Sequence, residues 1–184
     1  VHSYLVLLRG INVGGKNKVP MAELRATLED LGFSNVSTYI ASGNVLLESD
    51  LGAGDVARKI EDALPRGFTL DTELVRVAVL SEEALEAVVR RRPNGFGEEP
   101  TKYHSDAIFL MGIDTDAAMT VFSPKEGVDN VWPGDGVIYS QRLSARRTES
   151  RLNRIMSSPH YKAMTIRSWQ TTIALLDLMR ARAH

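Results

Sequence analysis

Cysteine is absent from the 184 residues. Disulfide frameworks, iron–sulfur centres and thiol nucleophiles are thereby excluded. No uninterrupted apolar stretch approaches the length of a membrane span. The opening residues, Val1 to Arg9, hold only a short apolar run ended by an arginine. A secretory signal needs a basic start, a longer apolar stretch and a small-residue cleavage site. A cytoplasmic location without a membrane partner is therefore expected. Net charge is close to nil, at −1, which argues against a surface that is basic all over. Familiar catalytic signatures are missing as well. There is no G-x-S-x-G or H-E-x-x-H, and His2, His104, His160 and His184 are scattered without metal-ligand spacing. No metal site is expected, and no cofactor is indicated.

What is present describes an ordinary globular chain, 43% apolar and 24% charged. Tyr4 to Leu8 is a continuous apolar run and predicts a central strand buried on both faces. Pro20 opens a helix whose apolar positions Met21, Leu24, Leu28 and Leu31 recur every three or four residues until Gly32. Val36, Thr38 and Ile40 alternate with Ser37, Tyr39 and Ala41 as in a half-buried strand, and Ser42-Gly43-Asn44 turns it into a return strand over Val45 to Leu47. After Gly52-Ala53-Gly54, residues Asp55 to Leu64 read as a helix, and Thr72 to Leu80 as a strand. The order is βαββαβ, the ferredoxin-like split βαβ.

The second half opens with Ser81 as a helix N-cap ahead of Glu82 and Glu83. That helix ends near Arg91, before a loop over residues 94–101. His104 to Met111 reads as a strand, Asp114 caps a short helix, and Pro133-Gly134-Asp135-Gly136 joins two further strands. Helical patterns follow at Glu149–Met156 and Trp169–Arg182. The expected architecture is α+β, with two ferredoxin-like units of the βαββαβ type, residues 1–80 and a less regular 81–184.

The small net charge conceals a segregation. Residues 81–136 carry 5 basic and 11 acidic side chains, whereas residues 137–184 carry 9 basic and 2 acidic. A basic segment of this kind suits an anionic partner, although solvated helix faces or an acidic neighbour also account for it.

The run from Gly10 to Pro20 follows the first strand directly. Gly10-x-x-x-x-Gly15-Lys16-Asn17 misses a phosphate-binding P-loop by its last residue, where Asn17 replaces the hydroxyl that holds magnesium. The helix also starts too late, at Pro20, and the following strands form a hairpin instead of a parallel sheet. This context argues against a nucleoside triphosphatase. Gly14 and Gly15 nevertheless permit turns whose N–H groups line an anion site, with Arg9, Lys16 and Lys18 supplying positive charge. A long connection serving only to reverse the chain is the plainer alternative.

Three blocks carry a family resemblance: Leu7-Leu8-Arg9-Gly10-Ile11-Asn12-Val13-Gly14-Gly15-Lys16-Asn17-Lys18-Val19-Pro20-Met21, Tyr39-Ile40-Ala41-Ser42-Gly43-Asn44-Val45, and Thr165-Ile166-Arg167-Ser168-Trp169-Gln170-Thr171. Together they resemble an uncharacterised bacterial family, domain of unknown function 1697, over essentially the whole chain. The resemblance implies two ferredoxin-like units and no established activity. Its third block is usually T-x-R-N-W-x-T, so Ser168 stands where Asn is usual. That change alters a ligand contact if the amide orients a ligand, and nothing if the residue caps the last helix.

Candidate ligand-binding residues are Arg9, Asn12, Gly14, Gly15, Lys16, Asn44, Arg151, Arg167 and Trp169. Arginine offers a bidentate fork for phosphate or carboxylate, and an indole stacks on a base or anchors a core. Asn44 is equally a turn residue, Trp169 equally a core partner of Ile173 and Leu176, and Arg151 and Asn153 equally solvated helix positions. The preferred function is a binding module for an anionic small molecule, phosphorylated or nucleotide-like. Nucleic-acid binding through the basic C-terminal segment is not excluded, but Val45-Leu46-Leu47 replaces the stacking aromatics of an RNA-recognition sheet. An enzyme whose groups converge only in three dimensions is the third possibility.

Overall fold

The computed structural model describes residues 1–41, 43–71 and 75–182. It contains two four-stranded antiparallel sheets, with strand orders β2-β3-β1-β4 and β6-β7-β5-β8. Packing divides the chain into two units, Val1–Leu85 with Leu175–His184, and Glu86–Ala174.

In the first unit β1 (His2–Arg9) leads to α1 (Met21–Asp30), followed by β2 (Ser34–Tyr39), β3 (Asn44–Ser49), α2 (Ala53–Gly67) and β4 (Arg76–Ser81). β1 and β3 are central, as the two apolar runs require, and residues Tyr4 to Leu8 of β1 are buried on both faces. One face carries Tyr4, Val6 and Leu8, packed with Leu24 and Leu28 of α1 and with Val56, Ile60 and Leu64 of α2. Thr72 to Leu74, the start of the expected fourth strand, lie outside the described residues, as does Ser42 of the hairpin turn. Ile40 leaves β2 with a φ of +52°, so the alternation of that strand stops one residue early.

The second unit follows the same strand order. After α3 (Glu82–Arg90) come β5 (Tyr103–Leu110), α4 (Thr115–Met119), β6 (Asp129–Pro133), β7 (Val137–Leu143) and β8 (Met164–Ser168), and then α5 (Trp169–Arg182). The caps are as the sequence implies: the Ser81 hydroxyl accepts from Ala84 N at 3.1 Å, and the Asp114 carboxylate accepts from Ala117 N at 2.7 Å. Between β7 and β8, where the first unit has α2, run three short 3₁₀ helices, Ser144–Glu149, Leu152–Ser157 and Pro159–Ala163. The α-helix expected over Glu149–Met156 is thus replaced by two tighter pieces broken at Ser150 and Arg151. Both residues are drawn away by Asp129, whose carboxylate accepts from the Ser150 hydroxyl and from Arg151 N.

One face of this sheet buries Ile108, Ile138 and Met164 against Ala118 and Ile155. Among the described residues no helix is long and apolar enough to cross a membrane.

Candidate functional site

The glycine-rich loop is a small hairpin of its own. Val13 and Lys16 exchange backbone hydrogen bonds of 3.3 and 2.9 Å around Gly14 and Gly15, whose φ angles are +57° and +76°. Two successive positive φ values are those of the tight turn that reverses a hairpin, and glycine adopts them without steric cost. Asn12 sits at the base of this turn. Its Nδ2 donates to Val19 O and Ala41 O, both at 3.0 Å, while its Oδ1 accepts from Val19 N at 2.8 Å. Asn17 donates to Gly10 O and accepts from Asp71 N, each at 2.8 Å. Both amides therefore shape the loop. Asn44 is fully buried and donates to Tyr39 O at 3.0 Å, which closes its own hairpin. The half-buried Arg9 ends β1 opposite Arg76 of β4. Gly14, Gly15 and Lys16 are exposed.

Arg151, Arg167 and Trp169 belong to the second unit. Trp169 is buried edge-on against Phe96 and Tyr139, with ring centroids 5.0 and 6.0 Å away. It is a core residue. Arg167 is 8% exposed and donates to Thr165 Oγ1 at 2.8 Å and Ile166 O at 2.9 Å. Burial lowers its pKa to about 10, so the guanidinium remains charged at neutral pH. Arg151 contributes its backbone N–H to Asp129.

That bond leads to a site the candidate list only grazed. Asp129, 5% exposed, also accepts from the Ser150 hydroxyl at 2.6 Å and Lys125 N at 2.9 Å. These bonds hold the segment after β7 so that Arg142, Arg147, Ser150 and Asn153 line a cleft of about 210 Å³. Arg146, the neighbour of Arg147, is tied to Glu149 by two bonds of 2.7 and 2.9 Å. Among the described residues neither Arg142 nor Arg147 forms an ion pair or side-chain hydrogen bond. The cleft thus presents two guanidinium groups that form no salt bridge among the described residues, Arg142 sensing the Asp106 charge only at longer range, and an amide.

Beside it stands a histidine–carboxylate pair. His104 lies opposite Arg142 in the β5–β7 register, and Asp106 opposite Ser140. His104 Nε2 approaches the Asp106 carboxylate oxygens to 3.1 and 3.0 Å. Burial pushes the Asp106 carboxyl up, and the charges of His104 and then Arg142 pull against it. His104 opens onto a second cleft of about 140 Å³ that includes Tyr103, Ser105, Ser144, Ser168 and Gln170. Residues of the two clefts, His104 and Arg142, are register partners where β5 starts and β7 finishes. Among the described residues no group of three or more His, Asp or Glu side chains is gathered to hold a metal ion.

A family model described as protein of unknown function, DUF1697, matches residues 1–139. The chain belongs to that family. Among solved structures, the conserved bacterial protein SP0830 from Streptococcus pneumoniae is similar, with 28% identity and a TM-score of 0.81. The alignment covers 97% of this chain and 98% of that one. No curated protein matches. In this DUF1697 chain the first two sequence blocks interlock. Leu8 N donates to Gly43 O at 2.9 Å, and a Cβ on Gly43 would lie 3.0 Å from both Ile11 Cδ1 and Leu8 O. The third block is the end of β8 with its helix cap. Ser168 Oγ accepts from Thr171 N at 3.2 Å, so Ser168 takes the capping role open to it. Much of the family signature thus specifies chain reversals. The Arg142–Arg147 cleft lies outside the three blocks. The signals for it were the basic excess after residue 137 and the Arg146-Arg147 pair, but which arginine finds a partner is decided only by Glu149.

Proposed function

We propose that this protein binds a small phosphate-bearing anion in the cleft of Arg142, Arg147 and Asn153. The observation that carries this reading is the pair of guanidinium groups lining one concavity, neither of them in a salt bridge among the described residues. Guanidinium forks match phosphate geometry, and an arginine held by its backbone loses less freedom on binding. The Asp129 bonds to Ser150 and Arg151 fix the segment that follows Arg147. The buried carboxylate is answered by three donors, which tempers its repulsion of an anion.

The test is thermal unfolding against inorganic phosphate, pyrophosphate, nucleotides and sugar phosphates. A ligand at a hundredfold excess over its Kd stabilises the fold by about 2.7 kcal/mol. This raises Tm by several degrees. Arg142→Ala and Arg147→Ala abolish the rise while Arg25→Ala, on α1, leaves it unchanged. A flat response across the panel removes the reading. Steeply salt-dependent binding of oligonucleotides without a response to small phosphates replaces it with a nucleic-acid surface.

A further inference from the structure

We infer that His104, oriented by Asp106, is the general base of a phosphodiester hydrolysis carried out beside the arginine cleft. This inference rests on the binding reading above and adds chemistry to it. His104 and Arg142 are directly opposed on β5 and β7. Side chains at directly opposed positions of an antiparallel pair share a face, with Cβ atoms about 5 Å apart. An anion held by Arg142 therefore lies next to the imidazole. The Asp106 carboxylate engages Nε2 at 3.0 Å, and among the described residues Nδ1 has no hydrogen-bond partner. Nδ1 is the free basic nitrogen. His104 is 43% exposed at its side chain against 17% for Asp106, so the ring reaches solvent on the sheet face it shares with Arg142 while the more buried carboxylate holds it. A base held by a carboxylate, close to groups that bind the reacting anion, is the minimum set for general-base catalysis. Charged groups around the ring are Asp106 on its own strand and Arg142 on the neighbouring strand. Asp129 lies beyond Arg142 on β6, and Arg147 follows β7.

The step balances without a co-reactant other than water. Nδ1 removes a proton from water as the oxygen attacks phosphorus. The new P–O bond replaces the bond to one ester oxygen, which leaves with its electron pair. The imidazolium then returns its proton to solvent, and an alcohol too basic to leave as an anion takes one from solvent. The products are a phosphomonoester and an alcohol. Arg142 and Arg147 neutralise the charge that builds on the two non-ester oxygens. A diester is the fitting class because its attack demands deprotonation of the nucleophile, whereas monoester transfer is largely dissociative and gains little from a base.

The experiment uses the full chain with bis(p-nitrophenyl) phosphate for turnover and inorganic phosphate for binding. The expected result is release of p-nitrophenolate that falls at least about 100-fold in His104→Asn, in the range general-base removal costs. His104→Asn keeps its Tm and its phosphate response. Asp106→Asn lowers kcat while KM and the phosphate response stay as in wild type, a split that a purely structural role would not produce. Phosphate binding without release of p-nitrophenolate above buffer overturns the catalytic assignment and leaves the binding reading standing. Release that His104→Asn retains within threefold overturns it too. Absence of phosphate binding removes the cleft reading and the inference together.

Discussion

Asn12 shows how a conspicuous polar residue can belong to the architecture. Its φ of +54° lies in the left-handed region, and its side chain makes three hydrogen bonds that join the loop, the start of α1 and the second hairpin. Asparagine tolerates that conformation where alanine loses about 1–2 kcal/mol. Each hydrogen bond adds about 0.5–1.5 kcal/mol net, toward the low end where solvent competes. Asn12→Ala is therefore expected to destabilise by about 3 kcal/mol in urea unfolding. Asn12→Gly recovers the backbone share and falls between Ala and wild type. Equal losses for the two variants would show that the left-handed backbone contributes nothing. The sequence marks Asn12 by its place between glycines but does not reveal where its amide points, because Ala41 is 29 residues away. Trp169 was legible in one of its two readings, since its spacing to Ile173 and Leu176 already suited a core. Arg142 was legible only as one member of the basic excess after residue 137, because whether an arginine finds a salt-bridge partner depends on carboxylates elsewhere in the fold.

At the scale of elements, strands and helices with clear periodicity or a cap were readable, and those held by distant bonds were not. β1, α1, α2 and α4 announce themselves by apolar spacing or by Asp114. β8 escaped notice because its five residues carry Thr165 and Arg167 on one side of the alternation, and a buried arginine does not look like a core residue. Glu149–Met156 reads as one helix because nothing local reveals that Asp129 captures Ser150 and Arg151. The junction of β8 and α5 gives an element-scale prediction. Ser168 caps α5 through Thr171 N, and Thr172 Oγ1 returns to Ser168 O at 2.9 Å. Asn and Ser are nearly equivalent caps, whereas Ala loses about 1 kcal/mol. Ser168→Asn should leave urea stability within about 0.5 kcal/mol, and Ser168→Ala should lower it by about 1 kcal/mol. A large loss in Ser168→Asn would mean that the hydroxyl does something a cap does not explain.

For the whole molecule, the charge segregation read from the sequence becomes a statement about pH. Most carboxylates stabilise a fold as they ionise, but Asp106 does the opposite, because its burial outweighs the help of His104 and Arg142. Its folded pKa stands above the ordinary 3.8. Between those two values the folded protein keeps a proton that the unfolded chain has released. The contribution of Asp106 is therefore most favourable below pH 3.8, and it is lost as pH rises through the folded pKa. At neutral pH the ionised carboxylate is a net cost to folding. Asp106→Asn removes this ionisation while keeping the shape of the side chain, so the stability of the variant relative to wild type should increase from pH 4 to pH 7.5. Arg142→Ala should act in the other direction, since it withdraws a cation that holds the carboxyl down, and it should steepen the wild-type decline. Urea unfolding of the three proteins across that range is the measurement, with parallel curves as the outcome that would contradict it. A carboxylate kept charged at a cost to the fold is also what a base-orienting residue requires, so the same titration connects the stability of the second unit to the role inferred for His104.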